Sequence, residues 1–388
     1  MILNFDEAEL KERGGLCTLS EIQQQSIVFR KVLEIAKENS EAIALFFQKN
    51  KIDKANTRII FTGAGTSEFV GNSIVHFFTR KGYDAHSIAT TDIVQNIEDY
   101  ILADKKTILV SFARSGNSPE SVATYKMMSQ FVKDIKHVVI TCNAQGELAK
   151  CATNDEGNYL FILPPESNDA GFAMTSSFTG MMTAALLFFA SLYPEEKMET
   201  AVQKLVDDMY PNMQKHNAVI SGISHFDFSR IVYLGSGNLN GIAQESHLKM
   251  LELTAGKIAA TFNTPMGFRH GPKSFLNDKT LVVIYLNKDE YRRQYDLDLL
   301  RELNAQKQAG KIVVLDYKED AEVKKICDDY LVFADTNIDV LTGIDYVSFA
   351  QLLAFNTSLN CKLTPDNPWP SGEVNRVVKG VIIHEKKC

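Results

Sequence analysis

Apolar runs of strand length alternate with helix-length amphipathic segments along most of this chain, after an opening stretch that is helical throughout. Over residues 18–50 apolar positions recur at helical spacing, as in IVFRKVLEIA, and Thr18 and Glu21 of TLSE stand at the separation of a capping box. Helix is therefore expected from 18 to 50. Strand-like runs follow at RIIFTG (58–63), TILVSFA (107–113), HVVIT (137–141) and NYLFIL (158–163). Strand alternating with helix predicts a mostly parallel sheet covered on both faces. The most apolar stretch, MMTAALLFFASLY (181–193), is shorter than the ~20 residues that span a bilayer and predicts a buried helix.

The same pattern then returns. RIIFTGAGTSEFVG (58–71) is echoed by RIVYLGSGNLNGIA (230–243), and TILVSFARSGNS (107–118) by TLVVIYLNKDEY (280–291). HVVITCN pairs with KIVVLDY (311–317), NYLF with DYLV (329–332), and FTGMMTAALLFF (178–189) with LTGIDYVSFAQLLAF (341–355). Buried strands resemble one another by chance, but five matches in one order at near-constant offset indicate an internal repeat. The expected organisation is an N-terminal helical segment (1–50), one α/β domain (51–200), a second (201–365) and a C-terminal tail (366–388). A length of 388 residues fits about two to three domains.

The copies differ after their second recognised strand. The first reads SFARSGNSPES (111–121), the second IYLNKDEYRR. Arg114 brings charge, Ser115 and Ser118 bring hydroxyls, Gly116 permits a tight turn, and Pro119 suits the first turn of a helix. Oriented amides, hydroxyls and a helix N-terminus make an anion site, at the strand end where α/β sheets bind ligands. The alternative is an ordinary strand–helix connection with an N-capping serine. A formal charge of −7 argues against broad binding to nucleic acid or anionic membranes but leaves room for one small anion. The six cysteines (17, 142, 151, 327, 361, 388) are scattered without metal spacing and read as reduced cytoplasmic thiols, and the first residues carry no signal pattern.

TGAGTSEFVG (62–71) is a second glycine loop. Its Gly63 and Gly65 open like a dinucleotide fingerprint, but Glu68 stands where the third glycine belongs, and GSGNLNG fails likewise. A nicotinamide reading retains only Asp84, about 20 residues on, as a ribose-binding acid. Gly65, Thr66 and Ser67 serve equally to bind a sugar or its phosphate.

GAGTS, SFARSGNSPES, GSG…ESHLKMLE and FRHGP, in this order, resemble the double-domain sugar isomerase (SIS) family of phosphosugar-binding proteins. The resemblance covers about residues 50–388. It is nearest to the galactosamine-6-phosphate deaminase group, also described as tagatose-6-phosphate ketose/aldose isomerases, which the tail NPWPSGEVNRVVKGV (367–381) also resembles. It implies two tandem flavodoxin-like α/β/α domains with parallel sheets, N-terminal helices and an irregular C-terminal tail. It implies phosphate binding by Ser67, Arg114, Ser115 and Ser118, no cofactor, no metal, and a homodimer or higher homo-oligomer with shared sites. Ala113 and Arg114 replace a serine and a glutamine of the synthase relatives. Met174 in GFAMTSSFT (171–179) replaces a ligand-contacting serine, with Thr175 as the retained contact.

Glu245, Lys249 and Glu252 in ESHLKMLEL share one helix face. A solvated Glu–Lys pair is the plain reading for the first two, and sugar contact by Lys249 the other. The resemblance makes Glu252 the enolisation base, His270 of FRHGP the ring-opening residue supplied by an adjacent subunit, and Lys379 of VVKGV a contact to the open-chain sugar; a plain exposed lysine is the alternative for Lys379. Arg376 is a further candidate to cover the phosphate, and Trp369 to pin a Pro-rich tail. The implied reaction is isomerising deamination of an amino-sugar 6-phosphate, foremost galactosamine 6-phosphate, to tagatose 6-phosphate and ammonia. Plain ketose/aldose isomerisation and a non-catalytic phosphosugar-binding regulator are the alternatives.

Overall fold

Strands buried on both faces need an apolar run without alternation, and the central strands show it: Thr57–Thr62, Ile108–Ala113 and Leu281–Tyr285 are buried at every position. The computed structural model describes residues 2–101, 105–376, 378 and 380–386. Among these, ten strands form two five-stranded sheets. The first contains β1 (Thr57–Thr62), β2 (Asp84–Ser87), β3 (Lys106–Ala113), β4 (Ile135–Thr141) and β5 (Tyr159–Ile162), in the order β2-β1-β3-β4-β5. The second contains β6 (Arg230–Gly235), β7 (Ala259–Asn263), β8 (Thr280–Tyr285), β9 (Lys311–Asp316) and β10 (Asp329–Val332), in the order β7-β6-β8-β9-β10. Every pairing is parallel. The two orders are the same order, and the register repeats: Arg58 faces Thr107 as Arg230 faces Thr280. The internal repeat is thus a repeat of topology.

Each sheet belongs to its own compact unit. One unit holds Val28–Asn168, Ser176–Glu199 and Ser371–Cys388; the other holds Met1–Ile27, Asp169–Thr175 and Thr200–Pro370. In the first, Phe61 packs on Phe78 with centroids 4.9 Å apart, and Phe78 on Phe189 at 5.2 Å. The apolar helix Ser176–Phe188 is buried at every residue, as expected for the first part of MMTAALLFFASLY, but it stops at Phe188, and Ala190–Leu192 form a separate short turn that is not buried. Its counterpart in the second unit, Asp339–Asn360, is buried from Val340 to Leu359. Among the described residues no helix is long and apolar enough to cross a membrane.

Two strands escaped the sequence pattern. β2 and β7 are edge strands with half-exposed positions, so neither carries a continuous apolar run. Asp84 opens β2 beside Arg58, at the end of the sheet away from the glycine turn, and binds Lys105 at 2.7 Å and His86 at 2.6 Å. It is a pairing residue at the wrong end of the strand to hold a ribose.

The expected helix over 18–50 is three helices, Leu16–Gln23, Gln25–Glu38 and Ser40–Asn50, and the capping box does not form. Gly15 is the N-cap and has no side chain to offer. Asp366, 348 residues beyond Thr18, takes its place: its carboxylate accepts from Thr18 N at 2.7 Å, Thr18 Oγ1 at 2.8 Å and Cys17 N at 3.1 Å. Glu21 instead accepts from Ala170 N at 2.5 Å and Gly171 N at 3.1 Å. The tail is therefore fastened at Asp366, with Pro365 and Pro368 buried and Trp369 only half-buried. A carboxylate that caps a helix from elsewhere in the chain is worth about as much as a local cap. Asp366→Ala is expected to lower unfolding free energy by about 1–2 kcal/mol, read as an earlier urea midpoint; an unchanged midpoint would deny Asp366 this role.

Candidate active site

In a parallel sheet of this order the chain reverses direction between β1 and β3, and the turns leaving those two strands line a crevice. In the first unit these turns are 63–65 and 114–118. Gly63 is required because a Cβ there would meet the Ser67 carbonyl at 2.6 Å, and Gly65 because it adopts φ +56°. The helix Thr66–Arg80 then starts with Thr66 and Ser67 in its buried first turn. Among the described residues, no atom beyond its chain neighbours lies within 4 Å of where a Gly65 side chain would begin, so the turn is open there.

The serine-rich turn is built from two sides. β3 delivers Arg114, 7% exposed, and the helix Pro119–Phe131 starts directly after Ser118. Ser118 is the N-cap residue, yet its hydroxyl makes no capping bond, and Ser115 and Ser118 are half-buried. The N-capping alternative therefore fails, and the Ser118 hydroxyl is left for another acceptor. A second turn braces the first: Asn143 Nδ2 donates to Ser115 O at 2.8 Å, Leu148 N to Gly116 O at 3.0 Å, and Glu147 N to Asn117 Oδ1 at 3.0 Å. This brace had no signature in the sequence, because Asn143 lies 28 residues from the group it holds. Arg114 Nη2 donates to the carbonyl of Arg376 at 2.8 Å, so the tail backbone meets this turn while Lys379 lies outside the described residues.

The second unit repeats the glycine turn and then closes it. Gly235 and Gly237 match Gly63 and Gly65, down to φ +60° at Gly237. Here, however, Arg292 lies 3.1 Å from the site of a Gly237 side chain. Asn287 Nδ2 donates to Ser236 O at 2.9 Å, and Ser236 Oγ to Asp296 at 3.3 Å. The unit's own side chains fill this turn, whereas the first unit's turn is open.

The helix Asn238–Leu253 in the second unit carries the acid–base row. Glu245 and Lys249 are fully buried, so they are not a solvated surface pair. Lys249 Nζ lies 3.2 Å from Glu245 Oε1 and 2.5 Å from Glu252 Oε2, and the Glu252 side chain alone of the three retains exposure, at 23%. Burial works against the Lys249 charge, but Glu245 and Glu252 outweigh it and hold its pKa above the ordinary lysine value. His270 lies in the same unit on an exposed turn, its backbone N donating to Gly267 O at 3.0 Å. Thr175 is fully buried, its N and Oγ1 donating to Asp169 at 2.8 and 3.3 Å. Met174 beside it is half-buried. Glu21 holds the same segment by its 170–171 amides, and burial, followed by the Asp169 charge, pushes its pKa up to about 7.

Comparison with known proteins gives the family of the chain. Residues 51–191 match the SIS domain. The chain is 43% identical over 340 residues to a D-galactosamine-6-phosphate deaminase AgaS of Escherichia coli, covering 87% of this chain and 88% of that one. It is 38% identical to the protein of the same name from Shewanella sp. strain ANA-3, over 97% of this chain and 94% of that one. The crystal structure of tagatose-6-phosphate ketose/aldose isomerase from Escherichia coli superposes with a TM-score of 0.88 at 37% identity, over 99% of both chains. With identity of this extent running through both repeats, the chain belongs to the SIS-domain sugar isomerase family, in the AgaS group.

Proposed function

We propose that this chain converts galactosamine 6-phosphate and water to tagatose 6-phosphate and ammonia. Both relatives named as deaminases carry that substrate in their names. The observation that carries the chemistry is the buried row Glu245–Lys249–Glu252, from which only Glu252 reaches solvent. The 6-phosphate is held by Ser67, Arg114, Ser115, Ser118 and the first amides of the helix Pro119–Phe131, with Gly65 and Thr66 shaping the adjoining turn. His270 moves the proton that opens the ring. Glu252 then takes the proton from C2 of the open-chain amino aldose, giving an enolamine, and returns it to C1. The ketimine left at C2 is attacked by water, and ammonia departs as the ketose forms. Lys249 orients the Glu252 carboxylate through its 2.5 Å contact. Thr175 orders its loop through Asp169, and Lys379 contacts the open-chain sugar. The protein works in the cytoplasm as a homo-oligomer with shared sites; a monomer by analytical ultracentrifugation would remove that part.

The test is ammonia release on adding galactosamine 6-phosphate or glucosamine 6-phosphate, with ketose formation followed in parallel. Ammonia from the galacto epimer alone is the expected result. Interconversion of ketose and aldose without ammonia would favour the isomerase reading that the name of the Escherichia coli structure carries, and binding without turnover a regulator. Removing two hydroxyl donors to a phosphate leaves the reacting end untouched. Ser115→Ala with Ser118→Ala is accordingly expected to raise KM by about 10- to 100-fold with kcat within roughly 3-fold; an unchanged KM would move the phosphate elsewhere.

A further inference from the structure

We infer that Glu302 is a positioning residue for His270, holding the turn that presents the imidazole by gripping a cation on either side of it. This rests on the ring-opening role of His270 proposed above. The turn has firm ends and a loose middle. Phe268 is fully buried among Val282, Leu299, Leu300 and Leu303. At the other end Phe275 packs on the same cluster, and Arg230 Nη1 donates to its carbonyl at 3.0 Å. Between them Arg269, His270, Gly271, Pro272 and Ser274 are exposed, and Gly271 takes φ +116°, a conformation that offers no resistance from a side chain. The Ser274 hydroxyl bonds only within the turn, to Gly271 O. Among the described residues the His270 ring has no hydrogen-bond partner, so its direction follows the backbone beneath it.

Among the described residues, Arg269 and Lys273 are the side chains of this span that tie it to the rest of the unit, and both reach Glu302. Arg269 donates from Nε at 2.8 Å and Nη2 at 2.5 Å to Oε2, while Lys273 donates to Oε1. Each carboxylate oxygen thus takes one cation. Lys273 also reaches Gln306, one helical turn on. Glu302 lies on the helix Glu290–Gln306, whose Leu299, Leu300 and Leu303 are fixed in the same core as Phe268, so the clamp is anchored to the rigid body of the unit. These pairs are partly exposed and add little to stability. Their effect is geometric, and a misplaced acid–base group loses rate steeply.

The test is a double-mutant cycle on the purified full-length protein, with galactosamine 6-phosphate as substrate and ammonia release as readout. His270→Asn is expected to lower kcat by about 10²-fold or more. Glu302→Gln is expected to lower kcat by about 10-fold, with KM within roughly 3-fold and an unchanged urea midpoint. In the His270→Asn background Glu302→Gln should cost nothing further, since there is no ring left to place. Glu302→Asp should recover part of the rate. Independent, multiplying losses, a loss that tracks the urea midpoint, or no loss from Glu302→Gln alone would overturn the inference while leaving the reading of His270 intact. If His270→Asn itself changes nothing, the proposed role of His270 fails, and with it any role for Glu302 exercised through that ring.

Discussion

Glu252→Gln is expected to abolish deamination while sparing affinity: kcat falls by about 10²–10⁴-fold, the range that a general base supplies, and the dissociation constant for the sugar phosphate stays within roughly 3-fold. The geometry makes this a narrow experiment. A glutamine keeps the length of the side chain and still offers an oxygen to the Lys249 ammonium, which stands 2.5 Å from Glu252 Oε2 in the native protein. Only the capacity to accept a proton from carbon is withdrawn. Binding energy at the phosphate end is untouched, so the loss should sit in kcat alone. Isothermal titration with galactosamine 6-phosphate and steady-state ammonia release measure the two halves. Retained turnover would take Glu252 out of the role of base.

Lys249→Met is expected to be the most destabilising of the substitutions considered, by about 3–5 kcal/mol. Glu245 and Lys249 are both without exposure, and their carboxylate and ammonium are 3.2 Å apart. Deleting the cation takes the Lys249 charge away from beside a buried carboxylate, which costs far more than the pair itself contributes. The sign of the pH dependence follows from the raised pKa of Lys249. Its contribution is complete below the ordinary lysine value of 10.5 and is lost as pH climbs above it through the folded-state value. The deficit of Lys249→Met should therefore be full at neutral pH and shrink only as pH climbs above 10.5. Glu245→Gln added to Lys249→Met should restore most of the lost stability without restoring turnover. Urea midpoints at pH 8 and above pH 10.5 would measure the pH dependence and those at pH 8 the rescue, and a single variant within 1 kcal/mol of the native protein would dismiss the argument.

What the sequence made legible follows from burial. Central strands carry continuous apolar runs because both their faces are buried, so β1, β3, β8 and β9 stood out, and with them the repeat. The edge strands β2 and β7 are half-exposed and carry no such run. The serine-rich turn was legible because its donors are neighbours in sequence. The capping box of Thr18 and Glu21 was misread because the spacing is necessary but not sufficient: Thr18 is taken by Asp366 and Glu21 by the 170–171 amides. Local order alone distinguished an open glycine turn at Gly65 from a filled one at Gly237 no better, since the side chain that fills the second, Arg292, lies 55 positions away. Glu302 had no local mark either; its meaning comes from Arg269 and Lys273, which the fold alone brings to it.

The bond between Asp366 and Thr18 also bears on the order of synthesis. The helix Leu16–Gln23 leaves the ribosome well before the carboxylate that completes it, which emerges 348 residues after Thr18. At about 5–20 residues per second that interval is roughly 17–70 s. For that time the amides of Cys17 and Thr18 lack their Asp366 acceptor, while the segment Val28–Asn168 is already available to fold. The helix Leu16–Gln23 is thus completed only after the segment that follows it has had time to fold.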